Sequence, residues 1–340
     1  MINLDTLTST RNTKFDNAKA FLILTVVVGH FANVDNPAFS SLRPLSFWIY
    51  IFHMPLFIFL SGFFSKHIVE SKERVIKKAF EFFSLNVFLK VALFVTGHIY
   101  RGSATFLLSK QSGVTWYLVA LAVMYIIAYI LRNIDKKAIL IFSIVMGLMC
   151  GYDKSIDSEF ALSKIITFFP FFVAGLMFDK EKLESILNKK SVKVAAAAVL
   201  ATTFILCIIF IDKLELIRPL LTNKSPYSKL KNSVEDYAVL LRTALYILSS
   251  TMGISILALS PNKQIDYFTS IGERTMSVYF WHYPVMYLIL ATPFVDMITT
   301  HLHEAAYIMI WLLLSVLLTA LLGLKIFKKP FDMWHNLING

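Results

Sequence analysis

Residues 52–64 read FHMPLFIFLSGFF, an almost wholly apolar stretch in which a histidine is followed two places later by a proline. With its apolar flanks, the stretch reaches the roughly 20 residues that a helix needs to cross a bilayer. Pro55 removes one backbone hydrogen bond and leaves the carbonyl of Ile51 without its helical partner. We therefore expect a kinked transmembrane helix in which His53 either donates to that carbonyl or faces a polar cavity.

The composition of the whole chain is that of an integral membrane protein. Of its 340 residues 57% are hydrophobic and 16% charged, and its mean hydropathy is +0.65; soluble domains hold about a quarter charged residues. The net charge of +11 does not indicate a nucleic-acid partner, because the lysines and arginines lie in short clusters between apolar runs. Cys150 and Cys207 lie far apart within apolar runs, so neither a disulfide framework nor a metal motif is predicted.

Ten apolar runs are candidates for membrane-spanning helices. They are too long for strands and lack period-two alternation. The runs cover residues 18–34, 45–65, 79–100, 114–131, 138–150, 162–178, 192–211, 237–259, 275–294 and 305–324. With the N-terminus inside, the inward segments hold 21 of the 33 lysines and arginines, an asymmetry that places both termini in the cytoplasm. We predict one all-α polytopic domain over residues 1–340, with about ten transmembrane helices.

Ionisable side chains at membrane depth are costly, so each one marks a candidate functional site. Lys19 and His30 lie eleven positions apart in the first run. That spacing returns them to nearly one helix face and separates them by roughly 16 Å along the axis. His53 and His282 share the same spacing to a following proline. Together with His30, they make three histidines within apolar runs, which favours a shared polar cavity. The alternative is that the histidines bond neighbouring helices and that Lys19 only flanks the membrane.

Further basic residues mark the ends of the predicted spans. Arg274 precedes the span of His282, and a cluster between residues 72 and 78 includes Arg74 and Lys78. A basic collar of this kind binds phosphates, although positive-inside loops have the same composition. Arg242 is expected to reach the membrane interface by snorkelling. The aromatic residues of TWYL at 115–118 are expected to belong to the aromatic belt at the interface.

Several chemistries lack support because their motifs are absent from the sequence. The chain has no P-loop, no Rossmann glycine motif, no HExxH and no CxxC. Imidazole chemistry in a membrane cavity remains, with His30 as general base or as nucleophile. A transporter or flippase for a lipid-linked glycan or organic anion is the main alternative, since broken helices and buried histidines also serve transport. A pH sensor or scaffold is a third possibility without specific support.

Five segments in order resemble the acyltransferase-3 family of membrane acyltransferases, and within it the fucose 4-O-acetylase-like branch. They are Lys19 with His30, FHMPLFIFLSGFF at 52–64, TWYLVAL at 115–121, FFPFFVAGL at 168–176 and SIGERTMSVYFWHYP at 270–284. The resemblance implies a ten-helix bundle in a bacterial cytoplasmic membrane. Its implied activity is transfer of an acetyl group from acetyl-CoA to a hydroxyl of a cell-surface glycan or its lipid-linked precursor.

The resemblance also implies residue roles. The essential histidine of the family corresponds to His30, and its basic residue eleven positions earlier corresponds to Lys19. The candidate residues are His30, His53 and His282 for catalysis, and Lys19, Arg74, Lys78 and Arg274 for binding acyl-CoA. Acyl-CoA, a glycan acceptor and the bilayer are the expected partners, and no metal is expected.

Overall fold

A computed structural model describes the chain over residues 12–111, 113–156, 159–223, 226–230 and 234–339. Within these ranges the protein is helical and contains no strand; one isolated antiparallel bridge joins Lys110 and Glu159. The predicted all-α fold class is confirmed.

Each of the ten predicted runs coincides with a helix, and short helices that the sequence did not predict lie between and after them. The helices are α1 (Thr13–Phe31), α2 (Arg43–Phe63), α3 (Lys72–Arg101), α4 (Trp116–Ile130), α5 (Lys136–Met149), α6 (Leu162–Met177), α7 (Lys180–Leu187), α8 (Lys190–Leu214), α9 (Arg218–Thr222), α10 (Ala238–Leu259), α11 (Asp266–Gly272), α12 (Thr275–Leu290), α13 (Phe294–His301), α14 (Glu304–Leu322) and α15 (Lys325–Asn339).

Several of these helices are long and apolar enough to cross a membrane. Five helical segments of the described chain meet that condition, and seven do if each of two bent pairs is one span. The bent pairs are α6 with α7, at 97°, and α12 with α13, at 63°. The protein is therefore a multi-pass membrane protein. The count of ten spans stays a prediction, because α4 is shorter, at 15 residues, and α1 carries three charges in its first two turns. The cytoplasmic location of both termini also stays a prediction.

Two glycines bring α2 and α6 into backbone contact. A Cβ on Gly62 would lie 2.1 Å from the carbonyl oxygen of Phe172, and a Cβ on Gly175 would lie 2.1 Å from that of Phe59. Small residues allow membrane helices to approach this closely. The crossing accounts for the glycines of both sequence segments and fixes α2, which carries His53, against α6.

A third glycine sets α12 against α1. A Cβ on Gly272 would lie 1.8 Å from the carbonyl oxygen of Asp16, so α11 packs directly on the first turn of α1. Because α12 begins three residues after Gly272, this contact aligns the helix of His282 with the helix of His30.

The carbonyl that Pro55 frees has a partner on another helix. The hydroxyl of Ser249 in α10 donates to the Ile51 oxygen at 2.6 Å. The expectation that His53 donates to Ile51 is wrong, because its Nδ1 lies 2.8 Å from the oxygen of Ile49 instead. The free carbonyl of Ile51 is thus satisfied by α10, without a hydrogen bond from His53.

Candidate active site

Two chambers lie end to end along α1. We call the end that holds Lys19 the inner end, following the predicted charge asymmetry, and the opposite end the outer end. The inner chamber encloses about 200 Å³ and is lined by Lys19. The central chamber encloses about 110 Å³ and is lined by His30 and His53. The two chambers share four lining residues, which we call the throat: Val26, Met54, Tyr117 and Tyr279.

Hydrogen bonds hold the two tyrosines of the throat. The Tyr279 hydroxyl donates to the carbonyl of Val114, just before α4. The Tyr117 hydroxyl lies 3.1 Å from the hydroxyl of Ser61, and the two tyrosine rings lie 5.4 Å apart between centroids. Helices α2, α4 and α12 therefore meet at the throat, and the two rings form the wall between the chambers.

His30 lies in the last turn of α1, half-buried among aromatic rings. Its ring stacks on that of His282, with centroids 5.3 Å apart and planes at 29°. The ring of Tyr283 meets it edge-on at 5.1 Å, and the hydroxyl of Tyr50 lies 3.4 Å from its Nδ1. These neighbours fix the orientation of an imidazole that lines the central chamber.

The two histidines that precede prolines have the same hydrogen-bond geometry. Nδ1 lies 2.8 Å from the Ile49 oxygen in His53 and 3.0 Å from the Val278 oxygen in His282. Since a carbonyl only accepts, Nδ1 of each ring carries the proton, and Nε2 of the neutral ring keeps its lone pair. Nε2 of His282 is buried and has no partner within the described residues.

The structure brings the three predicted histidines together, but with different exposure to the chamber. His53 lines the chamber, and its ring meets that of Tyr50 at 4.9 Å. His282 has no exposed surface and lies behind His30 rather than in the chamber wall. Its contact with the site is the stacking of its ring on that of His30.

Lys19 lines the inner chamber. Its side chain is 24% exposed and forms a 2.7 Å salt bridge with Asp16, and its ammonium lies 5.5 Å from the centre of the Phe64 ring. Both contacts fix the cation at the inner end of the chamber that leads to His30.

The other three residues predicted to bind acyl-CoA do not line either chamber. Arg74 donates to the carbonyl of His67 at 2.8 Å, and Lys78 forms a 2.9 Å salt bridge with Glu81. Arg274 donates to the carbonyl of Gly323 at 2.8 Å. A role for these three in binding acyl-CoA stays a prediction.

Sequence reasoning missed several residues of the site. Trp116 and Tyr117 are buried and line the chambers. The prediction that they belong to an aromatic belt at the membrane interface is therefore wrong. Lys164 is 2% exposed and lines the central chamber, with its ammonium 5.3 Å from the Trp116 ring. A cation in the first turn of an apolar run was the only sequence signal for Lys164.

Arg242 is the second basic residue whose position differs from the prediction. It is buried rather than snorkelling, donates to the carbonyl of Gly147 at 3.1 Å and lies 4.8 Å from the centre of the Tyr227 ring. It thus joins α10 to the end of α5 from inside the bundle.

A third cavity, the outer groove, opens beyond the central chamber. It encloses about 680 Å³ and shares Gly113, Val114 and Tyr283 with that chamber. The three cavities are therefore neighbours, in the order of Lys19, His30 and the outer end. Among the described residues, no group of three His, Cys, Asp or Glu side chains is placed to hold a metal ion.

The family model described as an acyltransferase domain, acyltransferase 3, matches residues 12–324. The chain belongs to the acyltransferase-3 family. No curated protein and no solved structure matches it in the corresponding searches. All residues that line the three cavities of this acyltransferase fall within the matched region, and the predicted family is confirmed. The fucose 4-O-acetylase-like branch stays a prediction.

Proposed function

We propose that this acyltransferase moves an acetyl group from acetyl-CoA to a hydroxyl of a cell-surface glycan or its lipid-linked precursor. One observation carries the proposal: the His30 imidazole lines a chamber that shares wall residues with the inner chamber of Lys19 on one side and with the outer groove on the other. A donor and an acceptor that arrive from opposite ends both reach His30 by this arrangement.

The inner chamber has the properties that an acyl-CoA arm requires. Lys19 supplies a cation for the phosphates at its inner end. Beyond it the walls are mostly apolar, with hydroxyls of Ser61, Tyr125 and Thr275 for the amides of a pantetheine arm. Because His30 lies roughly 16 Å farther along α1, an arm extended through the throat places the thioester at the imidazole.

His30 acts at the thioester carbonyl by one of two routes. As general base, it takes the proton of the acceptor hydroxyl while the hydroxyl oxygen attacks the carbonyl carbon; the C–S bond then breaks, and CoA leaves as the thiol with that proton. General-base catalysis of this kind typically raises the rate about 10²- to 10⁴-fold. As nucleophile, its nitrogen first takes the acetyl group and releases CoA, and the hydroxyl then discharges the acyl-imidazole. In both routes the ammonium of Lys164, which lines the same chamber, stabilises the developing oxyanion.

The two routes differ when acceptor is absent. The nucleophilic route predicts exchange of label between acetyl-CoA and free CoA, since an acyl-imidazole re-forms the thioester. The general-base route predicts no exchange. Both contrast with a transporter, which moves a glycan or anion across a liposome wall without consuming acetyl-CoA. Mass spectrometry of surface glycans from cells with and without the protein tests the acceptor class, with loss of O-acetyl groups as the expected result.

Replacing Lys19 by glutamine is expected to raise KM for acetyl-CoA about tenfold and to leave kcat nearly unchanged, because a charge-assisted contact with phosphate lies far from the reacting carbon. Steady-state kinetics in detergent measure both constants. Lys182→Gln is the matched control, since this exposed lysine on α7 lies outside both chambers. A fall in kcat with unchanged KM would place the phosphates elsewhere.

Replacing Tyr50 by phenylalanine is expected to lower kcat about tenfold without changing KM for acetyl-CoA. The substitution removes the hydroxyl that lies 3.4 Å from Nδ1 of His30 and keeps the ring, so the imidazole loses an orienting contact. Tyr152→Phe, at an exposed tyrosine on the outer side, controls for loss of a hydroxyl. Unaltered kcat in Tyr50→Phe contradicts an orienting role.

A further inference from the structure

The outer groove is strongly basic. Its walls come from the last turns of α3, the segment 103–110 and α12. Three of its lining residues are the cations Lys90, Arg101 and Lys110, and no aspartate or glutamate of the described chain lines it. A cavity with cations and without carboxylates favours an anionic occupant.

The three cations are held differently. Lys90 is buried and donates to the carbonyls of Leu107 and Lys110 at 2.8 and 2.7 Å, so it fixes the wall of the groove. Lys110 pairs through its backbone with Glu159 in the isolated antiparallel bridge. Arg101 is exposed and forms no salt bridge within the described residues. Arg101 is therefore the cation best placed to bind an anion.

A row of tyrosines connects Arg101 to the imidazole. The ring of Tyr283 meets His30 at 5.1 Å, Tyr287 meets Tyr283 at 5.1 Å, and Tyr100 stacks on Tyr287 at 5.6 Å. The guanidinium of Arg101 lies 5.4 Å from the centre of the Tyr287 ring. The C–H faces of sugar rings are apolar, so aromatic faces bind them while the phenol groups stay available for hydroxyls.

We propose that the outer groove binds the acceptor and selects an acidic oligosaccharide, one that carries a uronic acid. Arg101 binds the sugar carboxylate, for which its planar fork of N–H donors is suited, and Tyr287 and Tyr283 carry the sugar rings toward His30. This inference rests on the proposed function and specifies its acceptor. A phospholipid headgroup offers similar charge, but its acyl chains keep it in the bilayer, whereas Tyr283 of the groove wall contacts the His30 ring.

The test measures binding to the full chain in nanodiscs of phosphatidylcholine. Three probes are compared: hyaluronan tetrasaccharide, its carboxyl-reduced counterpart and sn-glycerol 3-phosphate. The acidic tetrasaccharide is expected to bind about tenfold more tightly than the reduced form, and Arg101→Gln is expected to abolish this difference. Lys154→Gln, at an exposed lysine that does not line the groove, is expected to leave the difference intact.

Three results would overturn the inference: equal binding of the two tetrasaccharides or none of either, an acidic preference that survives Arg101→Gln, or tighter binding of sn-glycerol 3-phosphate. Acetyl-CoA binding is measured in the same nanodiscs. If acetyl-CoA binds and depends on Lys19 while the acidic preference is missing, the acceptor class is wrong and the donor site stands. If acetyl-CoA does not bind, the proposed function itself fails.

Discussion

Replacement of His30 by alanine is expected to lower acetyl transfer by at least about 10²-fold, and by up to about 10⁴-fold. The chamber keeps its shape in this variant, because the other wall residues belong to different turns and helices. Only the imidazole that takes the proton or the acetyl group is lost. The measurement is CoA thiol release from acetyl-CoA with a glycan acceptor, per mole of folded protein, with KM for acetyl-CoA determined alongside.

His301→Ala is the matched control for His30→Ala, because His301 is an exposed histidine on α13 outside all three cavities. It is expected to retain full activity. His282→Phe provides a graded comparison: an aromatic ring remains to stack on His30, so a partial loss is expected. Full activity of His30→Ala in protein that elutes as a single species contradicts the proposed chemistry.

Gly175→Ala is expected to prevent folding or to cost more than about 4 kcal/mol of stability. The new Cβ would lie 2.1 Å from the carbonyl oxygen of Phe59 and 2.7 Å from the backbone nitrogen of Phe63. Both obstacles are backbone atoms of α2, so no side-chain rotation relieves the contact, and α2 must move away from α6. Thermal unfolding in detergent and the yield of monodisperse protein measure the effect.

Gly253→Ala is the control for the helix crossing. Gly253 also faces α2, but a Cβ there would lie 3.5 Å from the side chain of Leu56, an ordinary van der Waals contact. It is expected to change the unfolding temperature little. Equal stability of the two variants would contradict the backbone contact between α2 and α6 at Gly175.

The local part of the fold follows from the sequence. The length of the apolar runs predicted each long helix, and helical spacing placed Lys19 and His30 along one side of α1, where they line adjoining chambers. His53 and His282 share the same spacing to a following proline, and both rings bond the carbonyl four residues earlier. These relations span a few helical turns, so a single sequence contains them.

The remaining features depend on contacts between distant segments. Ser249 satisfies the carbonyl of Ile51 from nearly two hundred residues away, and no local pattern indicates that pairing. In the sequence, Lys164 looks like a basic residue that flanks a membrane span. Its side chain lines the central chamber only because of the way α6 packs. Arg74, Lys78 and Arg274 do not line the inner chamber, and their partners are two backbone carbonyls and the Glu81 carboxylate, which their sequence positions did not indicate.

The central claim is that acetyl-CoA enters from the inner end and presents its thioester to His30. A structure of the protein with a non-hydrolysable acetyl-CoA analogue tests this most directly. We predict phosphates at Lys19, the pantetheine arm through the throat, and the acetyl carbonyl carbon about 3 to 3.5 Å from a ring nitrogen of His30. An analogue bound with its acetyl group outside the central chamber would contradict the account.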